Sequence, residues 1–324
     1  MKHTNFSHLM ICVFMCCISQ PMVAISQNYT ITIDDSIQPI VEAEMKSRLQ
    51  TTEAEWACAI LMDKNNQVVA LFDTDSTAAN IVQPTQMGTI MQPFGIMSAL
   101  RTGNVPADNK FSIVKSSYQD YAGYLWIDGS PIDSVLDIPS VIAISSKIGT
   151  CQIMEQAFDK DPALFAQYMS ELGVRIVVDS LEDVLRYANG IGEYISPIQL
   201  TLLYSHLFQR QLSPEIWNST DIILDGLHQS VWNNDIGSSS RGRWTNGAQS
   251  EIVSIMGKTG SILMGTGEKL PPSTISFVGA FPEDAPQYTC LIMFHKAKYP
   301  ASANVQCAVP VMHIAEQIYN LKSN

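Results

Sequence analysis

The chain has 324 residues, 46% of them hydrophobic, and a formal net charge of -12. That length and apolar content can fill one large core or two modest ones, which excludes a disordered or low-complexity protein. The acidic balance argues against nucleic-acid binding, which needs a basic face for phosphates, and Arg241-Gly-Arg243 is the only stretch resembling a basic cluster.

Residues 2 to 24 start with Lys2 and His3, run apolar from Leu9 to Ile18 and lead to Ala24-Ile25-Ser26, a small-x-small site. This pattern predicts a signal peptide over 1–26, with Gln27 as the mature start and the periplasm as destination. The apolar run is short for a membrane span, and an uncleaved leader acting as anchor is the alternative to a soluble mature chain. Cys16 and Cys17 suggest lipidation, but Val13, Phe14 and Met15 before them are bulkier than such sites accept. Beyond the leader, Cys58, Cys151, Cys290 and Cys307 each sit in apolar sequence without CxxC spacing. They predict buried free thiols, with no metal site, no cofactor and no disulfide framework.

In chain order, residues 27–55 form a lead-in in which Ile40, Val41, Met45 and Leu49 fit a short amphipathic helix. Trp56 to Phe72 holds two apolar runs around Asp63-Lys-Asn-Asn66, a hairpin signature. Phe94, Met97 and Leu100 share one face of a helix that Pro93 can open and Gly103 can stop, placing Thr89 at or just before its N-terminus. There the helix dipole and free N–H groups would lie close to the Thr89 hydroxyl. Residues 104 to 138 read as loops and short strands, with a turn cluster at Asp128-Gly-Ser-Pro131.

Ile138 to Ile144 is a helix-like run interrupted at Ser145-Ser146-Lys147 before a second run from Ile148 to Phe158. The hydroxyls mark either a junction facing a cavity or, for Ser145, an ordinary helix cap. Further helices are expected over 164–172, stopped by Gly173, from Ser196-Pro197 through Leu207, over 221–232 and over 309–319. Strands are expected at 276–282 and 288–294. Strands at both ends with helices between them make an α+β chain whose terminal segments share one sheet.

The stretch Ile252 to Leu263, IVSIMGKTGSIL, breaks an apolar strand pattern with Lys258-Thr259-Gly260-Ser261. Without a Cβ, Gly260 lets a second extended backbone lie alongside, while the Lys258 ammonium and the hydroxyls of Thr259 and Ser261 can hold a carboxylate. Such an edge suits a peptide-like chain ending in a carboxylate.

Together, WACAILMD, MGTIMQPF, ISSKIG, GIGEYISPIQL, GKTGS, SFVGAFPED and CAVPVMHIAEQIY stand in the order found in penicillin-binding protein transpeptidase domains, and from about Trp56 to Tyr319 the chain resembles that family. The resemblance implies a β-lactamase/transpeptidase-like fold over 56–322, with a central antiparallel sheet flanked by helices and an all-helical lobe. It implies as ligand a D-Ala-D-Ala stem peptide or a β-lactam, and as partners other cell-wall synthesis proteins. The family works through Ser-x-x-Lys at a helix start, Ser-x-Asn at a helix junction and Lys-Thr/Ser-Gly on a strand.

Lys258-Thr259-Gly260 matches the third element, with Ser261 supplying an oxyanion N–H. In the first, Thr89 stands for the serine and Gln92 for the lysine; in the second, Ser145 matches but Lys147 replaces the asparagine. Glutamine accepts no proton at neutral pH, and losing a general base costs on the order of 10²–10⁴ in rate. The residues therefore point to a pseudo-enzyme. Alternatives are an active transpeptidase or carboxypeptidase using Thr89 with Lys147 supplying the lost amine, one using the literal Ser112-Ile-Val-Lys115, or a non-catalytic scaffold or muropeptide sensor.

Overall fold

The computed structural model describes residues 29–113, 118–119, 125–126, 128, 134–214, 217–238, 247–263, 273–298 and 302–323. The leader expected over 1–26, Lys115, Gly129 to Pro131 and the Arg241–Arg243 pair lie outside the described residues.

In chain order the elements are β1 (Thr30–Ile31), α1 (Gln38–Thr52), β2 (Trp56–Asp63), β3 (Gln67–Asp73), α2 (Ala79–Val82), a 3-10 turn (Gly88–Met91) and α3 (Gln92–Arg101). There follow β4 (Lys110–Ile113), β5 (Tyr118–Gln119), β6 (Leu125–Trp126), β7 (Ser134–Asp137), α4 (Ile138–Ala143), α5 (Lys147–Phe158), α6 (Ala163–Glu171), α7 (Leu181–Ala188), α8 (Pro197–Phe208) and α9 (Thr220–Trp232). The chain closes with β8 (Met256–Leu263), β9 (Ser273–Phe281), β10 (Tyr288–Ala297), a π-helical turn (Asn304–Ala308) and α10 (Val309–Ser323).

The main sheet has six strands in the order β1-β3-β2-β10-β9-β8, so strands from both ends of the sequence meet as expected. All pairs are antiparallel except β1 with β3. The period-2 alternation of a strand divides β2 between two cores. Cys58, Ile60 and Met62 face one core, shared with α3, α5 and α8, while Ala57, Ala59 and Leu61 face the other, shared with α1 and α10. The lead-in helix α1 is thus docked on the sheet: Val41 and Met45 are fully buried, and Gln38 Nε2 donates to the Leu71 carbonyl at 2.7 Å.

Helix α8 is buried along nearly its whole length, which its run of Leu, Tyr and Phe allows. Pro197 opens it, and a reciprocal Ser196–Gln199 capping box satisfies its first N–H groups. Helix α7 has the same device in Ser180 and Asp183, a start signal the sequence reading overlooked. Two expectations shift in detail. The strand carrying Lys258 covers only Met256–Leu263 of the Ile252–Leu263 stretch, and the Ile255 carbonyl just before it accepts the Trp232 indole N–H at 2.8 Å. The cap of α5 is Ser146, whose Oγ accepts from Gly149 N at 2.9 Å, so Ser145 is the junction residue and not the cap.

The four cysteines beyond the leader are buried and free. Among the described residues, no helix is long and apolar enough to cross a membrane, and no group of three or more His, Cys, Asp or Glu could hold a metal ion.

Candidate active site

Strand β8 is the edge of the main sheet, paired with β9 alone in the register Lys258↔Val278 and Gly260↔Ser276. The 3-10 turn before α3 lies against this edge through glycine. A Cβ on Gly260 would meet the Met87 carbonyl oxygen at 3.0 Å and Ile90 Cβ at 2.8 Å, and one on Gly88 would sit 2.5 Å from the Ser261 carbonyl oxygen. Gly88 has φ +69°, open to glycine at no steric cost, and its N–H donates to the Gly190 carbonyl at 3.0 Å. Residues 88–92, 189–190 and 258–261 are therefore locked together by main chain.

Thr89 is buried in that turn, one turn ahead of the α-helix proper, and the Ser261 N–H points at its Oγ1 at 3.4 Å. Gln92, the first residue of α3, is wholly buried. Its Nε2 donates to the Ser146 carbonyl at 3.1 Å, the Asn189 Oδ1 at 3.0 Å and, more weakly, the Ser145 carbonyl at 3.5 Å. Those three acceptors would suit an ammonium equally well. The Gln92 Oε1 is buried without a donor among the described residues, an arrangement that costs about 1–3 kcal/mol.

Ser145 lies between α4 and α5 with φ +61°. Its Oγ accepts from the Lys258 ammonium at 2.5 Å and lies 3.3 Å from Thr259 Oγ1. Thr259 Oγ1 in turn donates to Ser238 Oγ at 3.0 Å, and Ser238 Oγ is 3.1 Å from Ser230 Oγ. A row of hydroxyls thus starts at the buried amine. Lys258 is completely buried, its other hydrogen bond goes to the Thr259 carbonyl at 2.9 Å, and desolvation pushes its pKa down to about 7. The Ser261 side chain is exposed.

Lys147 is engaged through its backbone. Its backbone N–H donates to Asp128 Oδ1 at 2.6 Å, and the same carboxylate accepts from Ile148 N at 3.3 Å and Ser146 Oγ at 2.5 Å, capping α5. Burial lowers the pKa of the Lys147 ammonium, and the Asp128 charge partly opposes that. Among the described residues, none of the hydrogen bonds made by Thr89, Gln92, Ser145 or Lys258 involves the Lys147 ammonium. Ser112 lies on β4, in a two-stranded ribbon with β7 outside the main sheet, and its carbonyl accepts from Gln152 on α5.

Of the residues singled out from sequence, Thr89, Gln92, Ser145, Lys258, Thr259, Gly260 and Ser261 come together; Lys147 joins through its backbone, and Ser112 stands in a different sheet. Asn189, Ser146, Asp128 and Ser238 were missed. The Asn189-Gly190 pair after a helix was the one visible signal, since a glycine with φ +73° stops α7 there.

Residues 57–315 match the family model of the penicillin-binding protein transpeptidase domain. The chain belongs to this family. Two of the solved structures that share the fold are a glycosyltransferase and a transpeptidase domain. A peptidoglycan glycosyltransferase from Burkholderia ambifaria is 18% identical with a TM-score of 0.73, the match covering 90% of this chain and 97% of that one. The transpeptidase domain of penicillin-binding protein 3 from Burkholderia pseudomallei, in its apo form, is 17% identical with a TM-score of 0.72, over 90% of this chain and 95% of that one. At such identities the likeness concerns the fold alone. No curated protein sequence matches the chain.

Proposed function

We propose that this transpeptidase-family domain binds peptidoglycan stem peptides ending in D-Ala-D-Ala, or β-lactams, along the β8 edge, and that acyl transfer at Thr89 is impaired. The observation that carries the reading is the environment of Gln92. Its amide fills the place where the family has a lysine, all three of its hydrogen bonds run to carbonyl-type oxygens, and nothing on it can accept the Thr89 proton at neutral pH. The methyl of Thr89, buried against the β8 edge, adds crowding at the attacking oxygen.

The binding half of the cleft supports the rest of the reading. Gly260 lets the turn that carries Thr89 lie against the β8 edge, and the Ser145 hydroxyl, in contact with both the Lys258 amine and the Thr259 hydroxyl, sits where a terminal carboxylate would be received. The same reading places the chain outside the cytoplasm, with 1–26 as leader, 27–55 as a short lead-in and 56–322 as the transpeptidase-like domain, working with other cell-wall synthesis proteins. The test is labelling with a fluorescent penicillin followed by peptide mass mapping. Thr89 stays unmodified in the natural chain and becomes acylated in the Thr89→Ser/Gln92→Lys double variant; an adduct on Thr89 of the natural chain would sink the proposal.

A further inference from the structure

We infer that the nucleophile and base of this cleft are now Ser145 and Lys258, a hydroxyl–amine pair able to take the acyl group of a carboxylate-bearing β-lactam or peptide onto Ser145 Oγ. The inference rests on the reading that the cleft admits such ligands, but it concerns a different pair of atoms from those at Thr89.

A nucleophilic hydroxyl needs a base within hydrogen-bond reach that is free to gain a proton. At residue 89 the hydroxyl faces an N–H, which is a donor, and a glutamine stands where a base would. At residue 145 the requirement is met: Lys258 Nζ lies 2.5 Å from Ser145 Oγ. Among the described residues no carboxylate pairs with Lys258, and its remaining hydrogen bond goes to its neighbour's carbonyl. Complete burial without a counter-charge keeps much of the amine unprotonated near neutral pH, with the pKa down at about 7.

The backbone at Ser145 favours the same role. Its φ of +61° is costly for a residue with a Cβ and is held from α4, since Ser145 N donates to the Ile142 carbonyl at 3.1 Å and Ser146 N to the Val141 carbonyl at 3.0 Å. This sharp break between α4 and α5 directs the hydroxyl onto Lys258 and Thr259 of the edge strand. Ser145 is only half-buried, while Thr89 is 2% exposed. The Thr259, Ser238 and Ser230 hydroxyls continue the row beyond it. When Lys258 is protonated it donates to Ser145, whose own hydrogen then turns toward Thr259; when Lys258 is neutral, the Ser145 hydrogen can turn to Nζ.

The step balances. As Ser145 Oγ bonds to the carbonyl carbon, its proton passes to the neutral Lys258 amine; the carbon–nitrogen bond breaks and the ammonium returns that proton to the departing nitrogen. The acyl group stays on Ser145 as an ester.

The test is intact-mass analysis of the purified chain incubated for hours with excess fluorescent penicillin, with fragment mapping of any adduct and with the labelling rate followed from pH 5 to pH 9. One acyl equivalent is expected on the peptide holding Ser145, formed faster as the pH rises through about 7. It should vanish in Ser145→Gly, which keeps the backbone conformation because glycine accepts positive φ, and in Lys258→Met. Unchanged thermal unfolding of Ser145→Gly shows that the loss is chemical. No adduct on the natural chain, an adduct elsewhere, or an adduct surviving Ser145→Gly overturns the inference. Calorimetric binding of a peptide ending in D-Ala-D-Ala then shows whether the reading beneath it falls too: binding without acylation removes this inference alone, and neither removes both.

Discussion

The turn at residues 88–92 and the strand at 258–261 touch through bare main chain, yet they treat a buried polar group in opposite ways. In the turn, Gln92 is neutral at every accessible pH, and its amide N–H groups are matched to acceptors just before α5 and at the end of α7. In the strand, Lys258 carries a titratable amine into a place with no opposing charge among the described residues, at the expense of a pKa drop from 10.5 to about 7. Glycine contacts hold both sides together, while only the strand carries a titratable group. Shape and chemistry are thus separable here: glycine contacts hold the three segments in place whether or not residue 92 is a base.

The largest effect should come from making the two sides alike. Thr89→Ser/Gln92→Lys gives the turn a hydroxyl and an amine, offers the ammonium the three acceptors Gln92 now uses and removes the orphaned Oε1. Penicillin acylation at residue 89 should rise by on the order of 10²–10⁴ over the Gln92→Lys-free parent, measured by stopped labelling. An unchanged rate would mean that shape was lost with chemistry.

Next comes the shared scaffold. In Gly190→Ala the new Cβ would fall 1.9 Å from the Gly88 carbonyl oxygen at φ +73°, and unfolding in urea should show a loss of about 3–5 kcal/mol. Gly103→Ala has nearly the same φ, +72°, but open space around its Cβ, and should lose only about 1 kcal/mol. Equal losses would show that the backbone contact has no role.

A third prediction isolates the strand. Because the Lys258 pKa is lower in the folded chain than in the unfolded one, the unfolded state binds more protons between pH 7 and about 10.4. This group's contribution to stability is therefore greatest above that window and declines as the pH falls through it, levelling off below about 7. Lys258→Met should remove the slope, so the difference in melting temperature between variant and parent, scanned from pH 7 to 9, should widen toward low pH in favour of the variant. Parallel curves would return Lys258 to an ordinary amine.

The smallest effect concerns the junction. Asp128→Ala removes the acceptor for Lys147 N, Ile148 N and Ser146 Oγ and should cost about 1–2 kcal/mol in thermal unfolding. Labelling at Ser145 should change less than stability does, since Ser145 is held from α4.

The sheet and most helices were legible because their signals are local: the Asp63–Asn66 turn between apolar runs, Pro93 and Gly103 around α3, Ser196-Pro197 before α8. The residues of the cleft could be named from short motifs, but their partners could not. Nothing near Gln92 in sequence announces Asn189, and nothing near Thr259 announces Ser238, because such hydrogen bonds join segments whose meeting depends on tertiary packing. The surroundings of Lys147 were hidden for a related reason: that Asp128 accepts from its backbone N–H could not be read from the sequence, because a single carboxylate amid turn residues gives no sign of its target.

Where Gly190 meets Gly88 and Gly88 meets Ser261, no side chain lies in the joint to act as an adjustable shim. Side chains can rotate to absorb a small displacement, whereas two peptide planes in contact cannot, so a shift of the 189–190 segment on the helical side must be carried whole to the edge strand. The domain has in effect a rigid coupling at its centre, and a ligand pressing on β8 would be felt at the end of α7 as movement rather than as local repacking.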